Sequence, residues 1–155
     1  MTTKNHPERS LVLIKPDALA RHLTGHIVNR LSLGGLKIVG SKVVKVSKDL
    51  AEEHYKHLKD KPFFGELIDF IQGKLHGAEA SGVLAFVYEG EGCVKKIRDI
   101  AGATNPEAAA PTTLRGQYGR ITTKGVMENV IHASSDPQEA EREINLWFKP
   151  SEIIN

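Results

Sequence analysis

The chain has 155 residues, 40% of them hydrophobic, which is enough for one domain with a packed core and too few for two comfortable ones. With 21 basic and 19 acidic side chains its net charge is only +2, so the overall charge does not indicate a nucleic-acid or membrane binder. The single cysteine, Cys93, excludes an internal disulfide framework and favours a cytoplasmic location. We therefore expect one cytoplasmic domain over residues 1–155, without a signal peptide or a membrane span.

The first two thirds of the chain alternate between strand and helix patterns. Residues 10–14 predict a buried strand, of which 11–14 are an apolar run. A loop should begin at Lys15, because Pro16 holds the preceding residue in an extended conformation. A helix is expected from Thr24 until Gly34 and Gly35 stop it. The further expected elements are a strand at 36–46, a helix at 49–59, a second helical segment at 65–71, a loop at 73–82, a strand at 83–88, a short helix at 92–100 and an irregular segment at 102–111.

The end of the chain places a histidine where a strand meets a helix. Residues 129–133 have the length and β-branched content of a strand, and His132 lies within it. The following helix should run through Trp147, and its N-cap, first and third positions are Asp136, Pro137 and Glu139. A single histidine in a strand is more often a core residue than a reagent, so its role depends on the rest of the chain.

This order of elements resembles a split βαβ arrangement. It predicts an α/β fold of the α+β sandwich type, a ferredoxin-like βαββαβ unit with a four-stranded antiparallel sheet and helices packed on one face. Enzymes and RNA-binding modules share this fold, so the fold alone does not indicate the function.

Four basic side chains recur at turns or at the ends of elements, namely Lys15, Arg98, Arg115 and His132. These are the residue types that hold and exchange a phosphoryl group. Six short motifs around them occur in order: Ile14-Lys15-Pro16-Asp17, Glu53-His54-Tyr55, Lys61-Pro62-Phe63-Phe64, Gly102-Ala103-Thr104-Asn105-Pro106, Thr113-Leu114-Arg115-Gly116 and Asn129-Val130-Ile131-His132-Ala133-Ser134. Together they resemble the nucleoside diphosphate kinase family from about Glu8 to Ile153, and that family has the ferredoxin-like fold.

The resemblance implies a ping-pong phosphotransfer with broad base specificity. His132 matches the nucleophile, which takes the γ-phosphoryl of a triphosphate, mainly ATP, on a ring nitrogen and returns it to a different diphosphate. Glu143 matches the acid that accepts the other ring N–H; otherwise it would be a solvated helix charge. Tyr55 and Ser134 match supporting residues near the histidine.

The remaining matched residues would bind the nucleotide. Lys15 matches a lysine that reaches the phosphates and the ribose hydroxyl, and Asn129 matches an amide that contacts the ribose. Arg98, Thr104 and Arg115 match phosphate ligands, Phe63 matches the ring on which the base stacks, and Leu67 matches an apolar wall beside it. Taken singly, Asn129 reads as a turn residue, Phe63 and Leu67 as core, and Arg98 as an ordinary helix charge.

The resemblance also implies the cofactor and partners. Mg²⁺ would arrive with the nucleotide phosphates, since the chain shows no dedicated metal cage. His22, His26, His54, His57 and His76 lack ligand spacing and read as surface histidines. We expect nucleoside di- and triphosphates as partners, no membrane and no specific nucleic acid. A homo-oligomer is expected, a hexamer being favoured over a tetramer, with residues 102–111 and 149–155 as candidate contacts.

The chain departs from the family pattern in three respects, and two alternative functions stay open. Ala18 and Ala133 replace common glycines, so positive φ is not expected at either position. Extra residues lengthen segments 73–82 and 116–128, and the second of these separates Arg115 from Asn129. One alternative is a catalytically silent nucleic-acid module, which is disfavoured because the strand residues 83–87 and 130–131 are aliphatic apart from Phe86. The other is a nucleotide-binding regulator that has lost its chemistry, which is disfavoured because the reactive set is complete.

Overall fold

The computed structural model describes residues 7–77 and 82–155. In chain order its elements are β1 (Arg9–Ile14), α1 (Pro16–Ala20), α2 (Thr24–Ser32), β2 (Lys37–Val44), α3 (Lys48–His54), α4 (Phe64–Ile71), β3 (Val83–Glu89), α5 (Cys93–Ala101), α6 (Leu114–Tyr118), β4 (Arg120–Ile121), β5 (Met127–Glu128), β6 (Ile131–Ala133) and α7 (Pro137–Trp147). Short 3-10 turns lie at Lys56–Leu58, Pro106–Ala108 and Pro150–Glu152. No helix among the described residues has the length and hydrophobicity that a membrane crossing requires.

The four long strands form one antiparallel sheet in the order β2-β3-β1-β6. β1 lies in the interior and pairs with β3 through Val12 opposite Phe86 and with β6 through Leu13 opposite His132. This topology confirms the predicted ferredoxin-like sheet. It also fixes His132 beside the C-terminal end of β1, where Lys15 follows.

Helices cover both faces of the sheet, so the prediction of helices on one face is wrong. Leu11 and Leu13 of β1 pack in one buried cluster with residues of α3, α4 and α7. Val12 and Ile14 point the other way, into a second cluster with residues of α2 and α5. Because successive side chains of a strand alternate between faces, the apolar residues 11–14 of β1 require a cover on each side.

Two local predictions also need correction, and the structure describes one segment for which no prediction was made. The loop expected at Lys15 is the short helix α1, because proline suits the first position of a helix. The helix expected at 49–59 ends at His54 and continues only as a 3-10 turn. The segment 116–128 contains the end of α6 and a hairpin of β4 and β5, whose turn includes Gly125 at φ 79°. Of the loop expected at 73–82, residues 78–81 lie outside the described residues.

The predicted start of the last helix is confirmed. The side chain of Asp136 accepts a hydrogen bond of 2.8 Å from the backbone N–H of Glu139, which is the N-cap contact. Ala140, Ile144 and Trp147 are buried on one side of α7. The same helix carries Glu143, so its packing positions that carboxylate beside β6.

Candidate active site

A cleft of about 510 Å³ opens beside the C-terminal end of β1. Eight of the eleven residues predicted for the site line it, namely Lys15, Tyr55, Phe63, Leu67, Thr104, Arg115, Asn129 and His132. Of the other three, Ser134 and Glu143 are buried beside His132, and Arg98 is exposed on α5 and does not line the cleft. The structure therefore brings together ten of the predicted residues around one histidine.

His132 is held by one ring nitrogen. Its Nε2 lies 2.9 Å from Oε2 of Glu143, and the hydroxyl of Ser134 donates to the same oxygen at 2.7 Å. Burial raises the pKa of Glu143, but the hydrogen bonds from His132 and Ser134 outweigh burial and hold that pKa below its ordinary value. An ionised carboxylate fixes the proton on Nε2 and leaves the lone pair of Nδ1 for chemistry.

A strained turn precedes His132 and shortens the predicted strand. Val130 has φ 65°, and the N–H of Ile131 bonds to the carbonyl of Asn129 at 2.8 Å, as in a γ-turn. The backbone N–H of Val130 donates to Asp17 at 3.0 Å, and the N–H of Lys15 donates to the carbonyl of Val130 at 2.9 Å. A β-branched residue at positive φ costs about 1–3 kcal/mol and persists only where its surroundings enforce it. This turn directs Asn129 and His132 into the same cleft.

Lys15 lies at the base of the cleft and is buried. Its Nζ donates to Oδ1 of Asn129 at 2.8 Å and lies 4.9 Å from the centre of the Phe70 ring. Burial lowers the pKa of Lys15 to about 8, although the nearby carboxylate of Asp17 opposes this shift. Its charge therefore persists at neutral pH and is lost in mild alkali.

Arg115 braces three segments that border the cleft. Its guanidinium donates to the carbonyls of Gly102 at 2.8 Å, Ile131 at 2.9 Å and Asn129 at 3.3 Å. Burial, with a smaller effect of the charge on Arg98, lowers the pKa of Arg115 to about 10. The guanidinium of Arg115, which was predicted to bind phosphate, donates to backbone carbonyls in this structure. The Arg115 side chain still lines the cleft.

The outer end of the cleft is apolar and partly exposed. Phe63 is 48% exposed, and Leu67 of α4 is half-buried beside it. Thr104 is exposed, and its backbone carbonyl accepts a hydrogen bond of 3.0 Å from Nδ2 of Asn129. The cleft therefore has an exposed flat ring at its rim and basic side chains at its floor.

Two of the predicted surface histidines are not on the surface. His54 is only 1% exposed, and its ring lies edge-on to the ring of His132 at 4.5 Å between centres. His76 bonds to Glu128 at 3.0 Å, and its side chain is only 9% exposed. His22, His26 and His57 are exposed, as predicted.

Sequence reasoning also missed two residues that shape the cleft. Asp17, wholly buried, orients Val130, and Phe70 packs under Lys15. Asp17 lies in the Lys-Pro-Asp motif, and His54 lies in the Glu-His-Tyr motif. The motifs therefore marked Asp17 and His54, but the roles were assigned to the neighbouring residues Lys15 and Tyr55. Phe70 carries no local signal that separates it from ordinary core.

Comparison with known proteins agrees with this geometry. The profile of the family described as nucleoside diphosphate kinase matches residues 8–153. A nucleoside diphosphate kinase of Pyrococcus furiosus is 48% identical over 149 residues, which cover 96% of this chain and 88% of that protein. A relative from Archaeoglobus fulgidus with the same name is 44% identical, over 96% of this chain and 91% of its own length.

Solved structures of the family have the same fold. The halophilic nucleoside diphosphate kinase of Halobacterium salinarum, in complex with CDP, aligns with a TM-score of 0.85 at 41% identity, covering 97% of this chain and 93% of that one. A transition state mimic of the Borrelia burgdorferi enzyme, with bound vanadate and ADP, aligns with a TM-score of 0.83 at 35% identity, covering 96% of this chain and 90% of that one. The chain therefore belongs to the nucleoside diphosphate kinase family of phosphotransferases.

Proposed function

We propose that this chain transfers the γ-phosphoryl of a nucleoside triphosphate, mainly ATP, to a nucleoside diphosphate through a phosphohistidine at His132. The observation that carries the proposal is the contact between Nε2 of His132 and Glu143, which leaves the lone pair of Nδ1 beside a basic cleft. In the first half-reaction the N–P bond forms at Nδ1 and the bond from the γ-phosphorus to the β-phosphate oxygen breaks, so that a diphosphate leaves. In the second, a terminal oxygen of another diphosphate attacks that phosphorus and the N–P bond breaks.

Different residues around His132 would bind different parts of the nucleotide. Lys15, Arg98, Thr104 and Arg115 would bind the phosphates, Asn129 with Lys15 the ribose, and Phe63 with Leu67 the base. Glu143 would stabilise the positive charge that develops on the ring, with Ser134 and Tyr55 in support. Lys15 and Asn129 support this division because they already share a hydrogen bond of 2.8 Å at the cleft floor. The Halobacterium salinarum and Borrelia burgdorferi relatives, which bind CDP and ADP, support the ligand class.

Mg²⁺ is proposed as a cofactor that is carried by the nucleotide. Mg²⁺ prefers several oxygen ligands and keeps much of its water. Among the described residues that line the cleft, Glu66 is the one carboxylate, and it is exposed. One carboxylate does not make a cage for Mg²⁺, which fits a metal held mainly by phosphate oxygens; when bound, the metal would neutralise charge on those oxygens.

A homo-oligomer, a hexamer in preference to a tetramer, is proposed for the assembly. Ile38 and Val43 of β2, an outer strand of the sheet, are 40% and 78% exposed, and Leu33 nearby in sequence is 76% exposed. Large apolar side chains that are exposed on an edge strand favour contact with another copy. Sedimentation should give a hexamer at micromolar concentration, and a monomer there would refute an obligate assembly. A single domain over residues 1–155 and a cytoplasmic location, supported by the free thiol of Cys93, complete the proposal.

The direct test is to incubate the protein with γ-labelled ATP and then with GDP. The label should appear on His132, resist alkali, be lost in mild acid and pass to GTP when GDP is added. His132→Ala should be folded and unlabelled, whereas His57→Ala, at an exposed histidine, should label normally. Labelling that persists in His132→Ala, or an acid-stable product, would move the nucleophile to a hydroxyl such as that of Ser134.

A further inference from the structure

His54 is a buried histidine whose tautomer is fixed by its neighbour. The indole Nε1 of Trp147 lies 3.1 Å from Nδ1 of His54, and an indole N–H only donates, so Nδ1 must accept. Burial first, and then the charges of His132 and Arg142, hold the pKa of His54 well below its ordinary value. The ring is therefore neutral, with its one proton on Nε2.

The Nε2–H of His54 has no partner among the described residues. A buried donor without a partner is unfavourable, so its position calls for an explanation. A ring nitrogen of His54, a ring nitrogen of His132 and a carboxylate oxygen of Glu143 lie within 4.8 Å of one another. The ring of His54 thus lies beside the pair of residues that prepares the nucleophile.

Two histidines and one glutamate also resemble the ligand set of a zinc site. A metal requires a lone pair on each ligand nitrogen. On His54 that lone pair is on Nδ1 and accepts from Trp147, while Nε2 carries the proton. With Trp147 in place, the arrangement therefore opposes metal binding.

We propose that His54 is a positioning residue for His132, and that Trp147 holds it as the neutral Nε2–H tautomer. The edge-on ring of His54 restricts rotation of the His132 imidazole at 4.5 Å. Because His54 stays uncharged, it does not repel the positive charge that forms on His132 during phosphoryl transfer. This role rests on the proposed function, but the tautomer of His54 does not.

The tautomer is testable in the wild-type protein by NMR with ¹⁵N-labelled imidazoles. At pH 7, His54 should show a protonated Nε2 and an unprotonated Nδ1, and Trp147→Phe should release the other tautomer. An Nδ1–H or a cationic ring in the wild type would overturn the proposal. Co²⁺ gives a second readout: the wild type should show no tetrahedral absorption bands, and bands that disappear in His54→Gln would mean that the cluster is a metal site.

The positioning role is tested by the rate at which ATP phosphorylates His132 in a single turnover. His54→Ala removes the ring that packs on His132, and it should slow phosphorylation at least about tenfold while the KM for nucleotide changes little. His54→Phe restores an uncharged ring edge and should recover most of the rate; His57→Ala, at an exposed site, is the matched control. A wild-type rate in His54→Ala, or a raised KM alone, would overturn the role. A wild type that takes no label from ATP would instead contradict the proposed function and leave the NMR result standing.

Discussion

Oε2 of Glu143 accepts from both His132 and Ser134, which makes Glu143 the least replaceable group behind the nucleophile. Glu143→Gln should lower kcat about 10- to 100-fold with little change in KM, because the amide lacks the charge that balances the developing imidazolium. Steady-state kinetics measure this, and Glu141→Gln, an exposed position on the same helix, is the control. An effect confined to KM would make Glu143 a substrate ligand.

Lys15 gives the site a second testable property, a dependence on alkaline pH. Its pKa of about 8 belongs to the free protein, and the protonated form is the one that attracts phosphate. The ratio kcat/KM should therefore be level below pH 8 and decline above it. In Lys15→Arg the side chain stays charged, so the decline should vanish although the level is lower. If kcat/KM of Lys15→Arg declined in the same way above pH 8, the decline would be due to the titration of another group.

At the scale of elements, the two lengthened segments bond to each other. Glu128 of β5 accepts from His76 at 3.0 Å and from Arg120 of β4 at 2.6 Å. Burial raises the pKa of Glu128, but the hydrogen bonds from Arg120 and His76 prevail and lower it. The contacts anchor the hairpin that supplies residues 125–127 to the cleft wall.

Glu128→Gln should loosen that wall. We expect the KM for ADP to rise several-fold with kcat nearly unchanged, and a loss of about 1–3 kcal/mol in the free energy of unfolding, because the uncharged amide has one acceptor oxygen where the carboxylate uses two, one for His76 and one for Arg120. Nucleotide titration and urea unfolding measure the two effects. Glu152→Gln breaks a more exposed ion pair with Lys42 and should change neither by much. An unchanged KM in Glu128→Gln would show that the hairpin does not support the cleft.

Strong periodicity explains which elements could be predicted from the sequence. β1 and α7 have a continuous apolar run and a capped amphipathic pattern, and both were placed within a residue or two. α1 and the β4–β5 hairpin are too short to show a period, and each is held by a contact from a distant residue, α1 by Val130 and the hairpin by His76. The γ-turn at Val130 runs against local preference and was missed for that reason.

At the scale of the whole molecule, the site could be predicted where a motif marked it. The motifs identified His132. They did not indicate that His54 is buried or that the guanidinium of Arg115 bonds to backbone carbonyls. Both depend on the contact of elements far apart in sequence, α3 with α7 and α6 with β6. Local patterns in a single sequence do not reveal which distant elements come into contact.

Burial of His54 should couple the stability of the whole fold to pH. Its folded pKa is depressed, whereas in the unfolded chain it protonates near 6.5, so below that pH the unfolded state binds a proton that the folded state does not. Stability should therefore fall as pH falls through 6.5, by up to about 1.4 kcal/mol per pH unit. Urea unfolding between pH 7.5 and 5 should show a smaller slope in His54→Gln and an unchanged slope in His57→Gln. Equal slopes in all three proteins would mean that His54 is already protonated in the folded state.

The shape of the cleft predicts broad base specificity. Its outer end offers the exposed ring of Phe63 and the side of Leu67, and every base has a π-face that stacks for about 1–3 kcal/mol. Glu66 is the carboxylate near this end, and because it is exposed to water it discriminates weakly between base edges. Phosphates and sugar, held at the buried floor by Lys15 and Asn129, should dominate recognition.

Values of kcat/KM for ADP, GDP, CDP and UDP and their deoxy forms should accordingly fall within one or two orders of magnitude, each tenfold step being about 1.4 kcal/mol. Phe63→Ala should raise the KM for all bases together, since it removes a shared surface, whereas Glu66→Gln should leave the ranking of the bases unchanged. A preference above about a thousandfold, or about 4 kcal/mol, requires a buried polar contact to a base edge. If such a preference appeared and Glu66→Gln abolished it, Glu66 would have to close over the bound base, and the chain would be a base-specific kinase.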